Sequence, residues 1–286
     1  MAEYVVEFGR DGGRVEPDGR LDAPAFHRNH EPLRAALEKH LAGCSGNVVE
    51  VGSGTGQHVV YFARHTPDLV WWPSDLNQRH VKSIEAWRVH SGLPNIRSPL
   101  RIDLSDPGWC PEMRSGQGPT NLAAVFCANV IHIAPWTVAE GLFAGAGRYL
   151  RADGKLFLYG PFKRDGKHTA LSNAVFDTSL REGNPDWGVR DIGDVETLAR
   201  GAGLGLVDTI EMPANNLTLV FARGESLLIW VHAAKAVRSL PPCGGGRGEG
   251  WPGKRSIRLR LYGARKSRES PCDTPLPAPS PQGGRE

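Results

Sequence analysis

The chain has 286 residues, 40% hydrophobic and 23% charged, at a formal net charge of +3. That length can bury a sizeable core, and the composition is that of a globular protein. No apolar run approaches the roughly 18 residues of a membrane span, and the charged N-terminus MAEYVVEFGRDGGRVEPDGR lacks the apolar stretch of a signal peptide.

Cys44, Cys110, Cys127, Cys243 and Cys272 are scattered without metal-ligand spacing. They suggest reduced thiols, a cytoplasmic location and no metal site. Residues 224–286 hold 11 Lys and Arg against 5 Asp and Glu, net +6, which leaves residues 1–223 at 23 against 26, net −3. Gly and Pro supply 18 of those last 63 residues without a period, a mark of low complexity. The organisation read from this is an N-terminal extension 1–23, a folded domain 24–223 and a basic tail 224–286. A net-negative domain makes nucleic acid a poor partner and favours a small-molecule substrate.

Strands and helices alternate through the domain. A helix is expected over Pro32–Leu41, then a strand Asn47–Val51 and a helix from near Gly56 through VVYFARH. The strand Leu69–Ser74 follows, then a helix whose Val81, Ile84 and Trp87 share one face. PLRIDL reads as a short strand, NLAAVFCANV as the next, TVAEGLFAGAGRYL as a helix and KLFLYG as a strand. After a polar insertion come a helix around VETLARGAG and two paired strands, LGLVDTIEMP and NNLTLVFAR. This order predicts an α/β fold, doubly wound around a mostly parallel sheet, with one antiparallel strand from the C-terminal hairpin.

The stretch VVEVGSGTGQH, residues 48–58, sets an acid before a glycine-rich strand-to-helix turn. Gly52, Gly54 and Gly56, with Ser53 and Thr55 between them, let a ligand approach the backbone, and the helix start offers free N–H groups. A dinucleotide fingerprint needs a third glycine where Gln57 stands, and the Lys-Ser/Thr of a P-loop is absent. Glu50 would repel a phosphate. S-adenosylmethionine (SAM) has no phosphate, a carboxylate for the helix end and two cationic centres, so Glu50 becomes an attraction. Asp75, followed by Leu76, ends the second strand 23 positions after Gly52, near the offset of a ribose-binding acid. Asp103 ends the next strand, within reach of an adenine amino group.

The stretches HRNHEPL, VEVGSGTGQHVVYFA, WWPSDLN, SIEAW, NVIHIAPW, EGLFAGAGRYL, LYGPF, HTALSNAVFD, NPDWGVRD and PANNLTLVF, in this order, carry a wider resemblance. The chain resembles class I SAM-dependent methyltransferases, and within them the methyltransferase-like 26 group, also called uncharacterised protein family 0585 or domain of unknown function 938. The resemblance covers about residues 24–223. It implies a seven-stranded methyltransferase sheet and SAM contacts at Glu50, Gly52, Gly54, Gly56, Asp75 and Asp103; it supplies no substrate.

Methyl transfer gains much of its rate from holding acceptor and methyl in line, and a general base adds to it. His132, after the fourth strand, is the candidate base; packing under the next helix is its structural alternative. Asn129 is read as orienting the acceptor or binding cofactor. Arg28 and Asn29 fold over the cofactor carboxylate or lie in a surface loop. Tyr159, Trp187 and Arg190 line an acceptor pocket under the polar insertion, or else Trp187 packs that insertion down and Arg190 pairs with Asp191 or Asp194. The rival functions are a SAM-binding scaffold without chemistry and, more remotely, a nicotinamide-dependent oxidoreductase.

Overall fold

Residues 15–106 and 108–223 are described by a computed structural model; the expected basic tail lies outside the described residues. The first helix, α1 (Pro24–Leu41), starts eight residues before the expected Pro32. Pro24 sits in the first turn, where a missing N–H is harmless, and Pro32 is carried inside the helix. Asn29, Leu33, Ala36, Leu37 and Leu41 form its buried face.

Then follow β1 (Gly46–Val51), α2 (Gln57–His65), β2 (Leu69–Ser74), α3 (Gln78–Ser91), the short α4 (Pro111–Ser115), β3 (Leu122–Ala128), α5 (Trp136–Tyr149) and β4 (Leu150–Gly160). The polar insertion forms β5 (Phe162–Arg164), β6 (Lys167–His168) and α6 (Leu171–Gly183), and ends in β7 (Arg190–Asp191). The chain continues through α7 (Ile192–Gly201), β8 (Leu204–Met212) and β9 (Asn216–Arg223). The main sheet runs β2-β1-β3-β4-β9-β8, and β6-β5-β7 make a small second sheet. β1 pairs in parallel with β2 and β3, β3 with β4, while β9 lies antiparallel between β4 and β8.

Among the described residues the main sheet has six strands, where seven were expected. PLRIDL runs beside β2 but pairs with it only through the isolated bridge Ser74↔Leu100; a second bridge, Trp71↔Ile96, falls just before that stretch. Two prolines explain this. Pro73 and Pro99 have no N–H to give to a ladder, so the bonding slips by one residue, and Leu100 N–H donates to the Pro73 carbonyl instead.

Side chains alternate across the sheet. Val49, Val51, Val125, Cys127, Leu156 and Leu158 face α5 and α7, whereas Val48, Phe126, Phe157 and Tyr159 face the layer of α1 and α2. Helix α5 comes close because it presents glycine: a Cβ at Gly141 would overlap the Leu104 carbonyl, and one at Gly145 the Trp109 ring. Trp109 Nε1 donates to the Gly141 carbonyl at 2.9 Å. Among the described residues no helix is long and apolar enough to cross a membrane.

Candidate cofactor and acceptor cleft

The strand order reverses at β1, whose neighbours β2 and β3 are reached by crossovers in opposite directions. Open α/β sheets bind ligands beyond the carboxyl ends of the strands at such a point. A cavity lies there, between the turn after β1, the ends of β2 and β3, and the start of α1.

The turn is made by three glycines in the left-handed region: Gly52 at φ +65°, Gly54 at +58° and Gly56 at +92°. A Cβ on Gly52 would overlap Val130, and one on Gly56 would come within 2.8 Å of the Ile84 backbone. Gly52 thus opens the cavity wall, while Gly56 lets α2 sit against α3. No side chain caps α2, so its first N–H groups keep no side-chain partner.

Glu50 is 2% exposed, lines the cavity and has no hydrogen-bond partner for Oε2. Burial pushes its carboxyl up to about 8; Ser53 opposes that rise and Asp75 adds to it. An ionisable group left unpaired in the interior is costly, and it marks a place built for a partner. Asp75 accepts the Gly54 and Asn77 N–H groups, each at 2.9 Å, and lies 3.2 Å from His80 Nδ1. A carboxylate has about four acceptor positions, so it keeps room for a ligand hydroxyl.

Of the residues singled out in the sequence, Asn29, Glu50, Gly52, Ser53, Gly54, Thr55, Asp75, Leu76 and Asn129 line this cavity. Asn129 does so from a left-handed backbone (φ +59°). Several others do not. Gln57 turns away: its Oε1 accepts Ala23 N–H at 2.7 Å and the Thr55 hydroxyl at 2.9 Å, and its Nε2 donates to Asp22 at 2.6 Å. It fastens the chain before α1 onto the glycine turn. Gln57→Ala leaves the buried Ala23 N–H unpaired, and chemical denaturation should show a loss of about 1–3 kcal/mol. Asp103 closes on its own turn, accepting both N–H and hydroxyl of Ser105. Arg28 is exposed on α1, one helical step from buried Asn29.

His132 is 1% exposed, outside the cavity, with neither ring nitrogen bonded. Its ring packs on Phe162 and against Gly160, and burial together with Arg190 lowers its pKa to about 3. Such a ring stays neutral and has no path to a ligand. Arg190 pairs with neither Asp191 nor Asp194. It donates to the carbonyls of Ile131, Ala134 and Asp186 and lies over Trp136, holding the insertion to the loop after β3. Trp187 Nε1 is buried without a partner. Tyr159 points into the α1 layer, where its hydroxyl accepts from Asn216 Nδ2 at 3.0 Å.

The sequence reading missed Phe26, His58, Asn77 and His80, and the apolar slot formed by Ile102, Leu104, Val130 and Val138. The lining holds two carboxylates, and among the described residues no Lys or Arg reaches it. No cluster of His, Cys, Asp and Glu among the described residues is arranged to hold a metal.

This arrangement has parallels in solved structures. An O-methyltransferase family protein from Burkholderia thailandensis is 15% identical at a TM-score of 0.57, over 68% of this chain and 55% of that one. An O-methyltransferase family 2 protein from Planctomyces limnophilus, in complex with apigenin, is 16% identical at 0.55, over 68% and 56%. CalO1, a methyltransferase of calicheamicin biosynthesis in its SAH-bound form, is 16% identical at 0.50, over 68% and 55%. This chain spans about half the length of each, and the likeness is one of fold. A family model described as a protein of unknown function, DUF938, matches residues 20–223. The chain therefore belongs to the DUF938 family, on a methyltransferase-like fold.

Proposed function

We propose that this protein is a SAM-dependent methyltransferase of the methyltransferase-like 26 group, acting on a small-molecule acceptor. The observation that carries the reading is Glu50: a buried carboxyl with an unpartnered oxygen, beside a glycine turn that opens the cavity. The cleft residues suit the cofactor's parts. Glu50 would take the ammonium, and the uncapped start of α2 the carboxylate. Asp75 would accept from the ribose hydroxyls, and Ile102, Leu104, Val130 and Val138 would sandwich the adenine. Ser53, Gly54, Thr55 and Leu76 would form the remaining wall. The cofactor supplies a methyl group made electrophilic by its sulfonium. We read residues 24–223 as the functional domain and the protein as cytoplasmic, a location consistent with the free thiols of Cys44, Cys110 and Cys127.

The position of His132 favours a second reading, a SAM-binding protein without chemistry, because the candidate base lies outside the cavity. Calorimetric titration separates the classes. SAM and S-adenosylhomocysteine should bind, and NAD should give no heat, since a pyrophosphate would face Glu50 and Asp75 with no cation among the described lining. NAD binding tighter than SAM binding would overturn the proposal. Turnover with any hydroxyl-bearing metabolite would then dismiss the scaffold reading.

A further inference from the structure

His58 was not among the residues expected in the site, yet it lines the same cavity as Glu50 and Gly52. Its ring is held on three sides. Phe26 meets it edge-on at 5.2 Å between centroids, Phe62 stacks on it at 5.5 Å, and Nε2 lies 2.8 Å from Asn29 Oδ1. Asn29 is itself buried, 5% exposed, and its amide oxygen faces the His58 ring.

This contact has a direction, and direction fixes a tautomer. Asn29 Oδ1 only accepts, so Nε2 carries the proton. A neutral imidazole has a single N–H, which leaves Nδ1 with a lone pair. Burial, with His30 adding to it, lowers the His58 pKa to about 3, so the ring stays neutral. The cavity therefore meets a ligand here with an acceptor, not a donor. Asp75 adds negative character, and no Lys or Arg among the described residues lines the cavity to offset it. With the start of α2 taken by the cofactor's carboxylate, a second carboxylate or a phosphate would enter without a partner and lose its hydration. Phe26 offers an aromatic surface next to His58.

We propose that His58 and Asn29 form the acceptor subsite, built for a planar molecule without negative charge whose hydroxyl donates a hydrogen bond to His58 Nδ1. This rests on the cofactor reading above. Within it, His58 touches the acceptor, and Asn29 is the positioning residue that sets which nitrogen is free.

The test uses the full chain with isotope-labelled histidine and S-adenosylhomocysteine, His58 being assigned from the spectrum of His58→Phe. Nitrogen shifts should show a protonated Nε2 and a bare Nδ1 that does not titrate down to about pH 5. Phenol should move the Nδ1 resonance, while benzoate at the same concentration leaves it in place. Phenol affinity should fall about tenfold in His58→Phe, the loss of one hydrogen bond. Asn29→Asp, which puts a carboxylate on Nε2, should bring His58 titration up toward neutrality. A proton on Nδ1 overturns the proposal. So does an unmoved resonance with phenol, or an equal response to benzoate. If S-adenosylhomocysteine gives no heat with the wild-type chain, the cofactor reading fails instead, and the tautomer and phenol shift of the free chain still decide this one.

Discussion

Replacing Glu50 by Gln is expected to weaken SAM binding by about 30-fold or more, while making the free protein more stable at alkaline pH. Both effects follow from one buried carboxyl. Burial raises Glu50 from its ordinary 4.5 to about 8 in the folded chain, so the folded state keeps a proton that the unfolded state gives up. Its contribution to stability is whole below pH 4.5, declines as pH rises, and is gone above about 8. Each pH unit crossed costs about 1.4 kcal/mol, roughly 3–5 kcal/mol in all. Gln does not titrate, so denaturation curves of variant and wild type should coincide near pH 4.5 and part steadily up to pH 8.

Ligand affinity should run the other way. A bound ammonium needs the ionised carboxylate, so wild-type binding should strengthen about tenfold per pH unit as pH approaches 8 from below. It should weaken above that, where the cofactor's own amino group, with a pKa of about 7.7–8.0, loses its charge. Calorimetry across pH checks both limbs, and Glu50→Gln should lose only the acidic one. A variant that gains stability and keeps full affinity would mean that the carboxyl faces no cation.

The strands were readable because parallel strands covered on both faces are continuous apolar runs, as in LAAVFC of β3, all buried. The glycine turn was readable because only glycine takes its backbone cheaply. What escaped depended on side-chain direction and on breaks in regular pairing. Tyr159 was expected over a ligand, but alternation along β4 gives it the same face as Phe157, and its hydroxyl meets Asn216 instead. His132 and Arg190 lie at the expected ends, yet one is sealed under Phe162 and the other spent on carbonyls. Asn29 was read as folding over the cofactor carboxylate or lying in a surface loop. Starting α1 at Pro24 turns it, with Phe26, into part of the wall. A signal for His58 existed: it is the second residue of the helix that opens from the turn. Its role needed Asn29, a residue 29 positions away.

Gly52→Ala should damage both fold and site, and a companion variant can divide the loss. Gly52 and Gly92 have nearly the same backbone, φ +65° and +63°, but a Cβ at Gly92 meets nothing within 4 Å, whereas one at Gly52 overlaps Val130. Gly92→Ala therefore isolates the left-handed backbone cost, about 1–2 kcal/mol. Gly52→Ala adds a collision with a packed wall, about 1–3 kcal/mol more. Because Gly52 and Val130 both line the cavity, this variant alone should also lose about tenfold or more in SAM affinity. Removing the colliding methyl with Val130→Ala in the Gly52→Ala background should return the collision part and leave the backbone part. The double-mutant cycle should then be non-additive by about 1 kcal/mol or more in the favourable sense. Additive losses would mean that the wall behind the turn yields freely. The opening of the cleft would then depend on backbone conformation alone, and glycine at position 52 would be needed for its φ and not for the space it leaves.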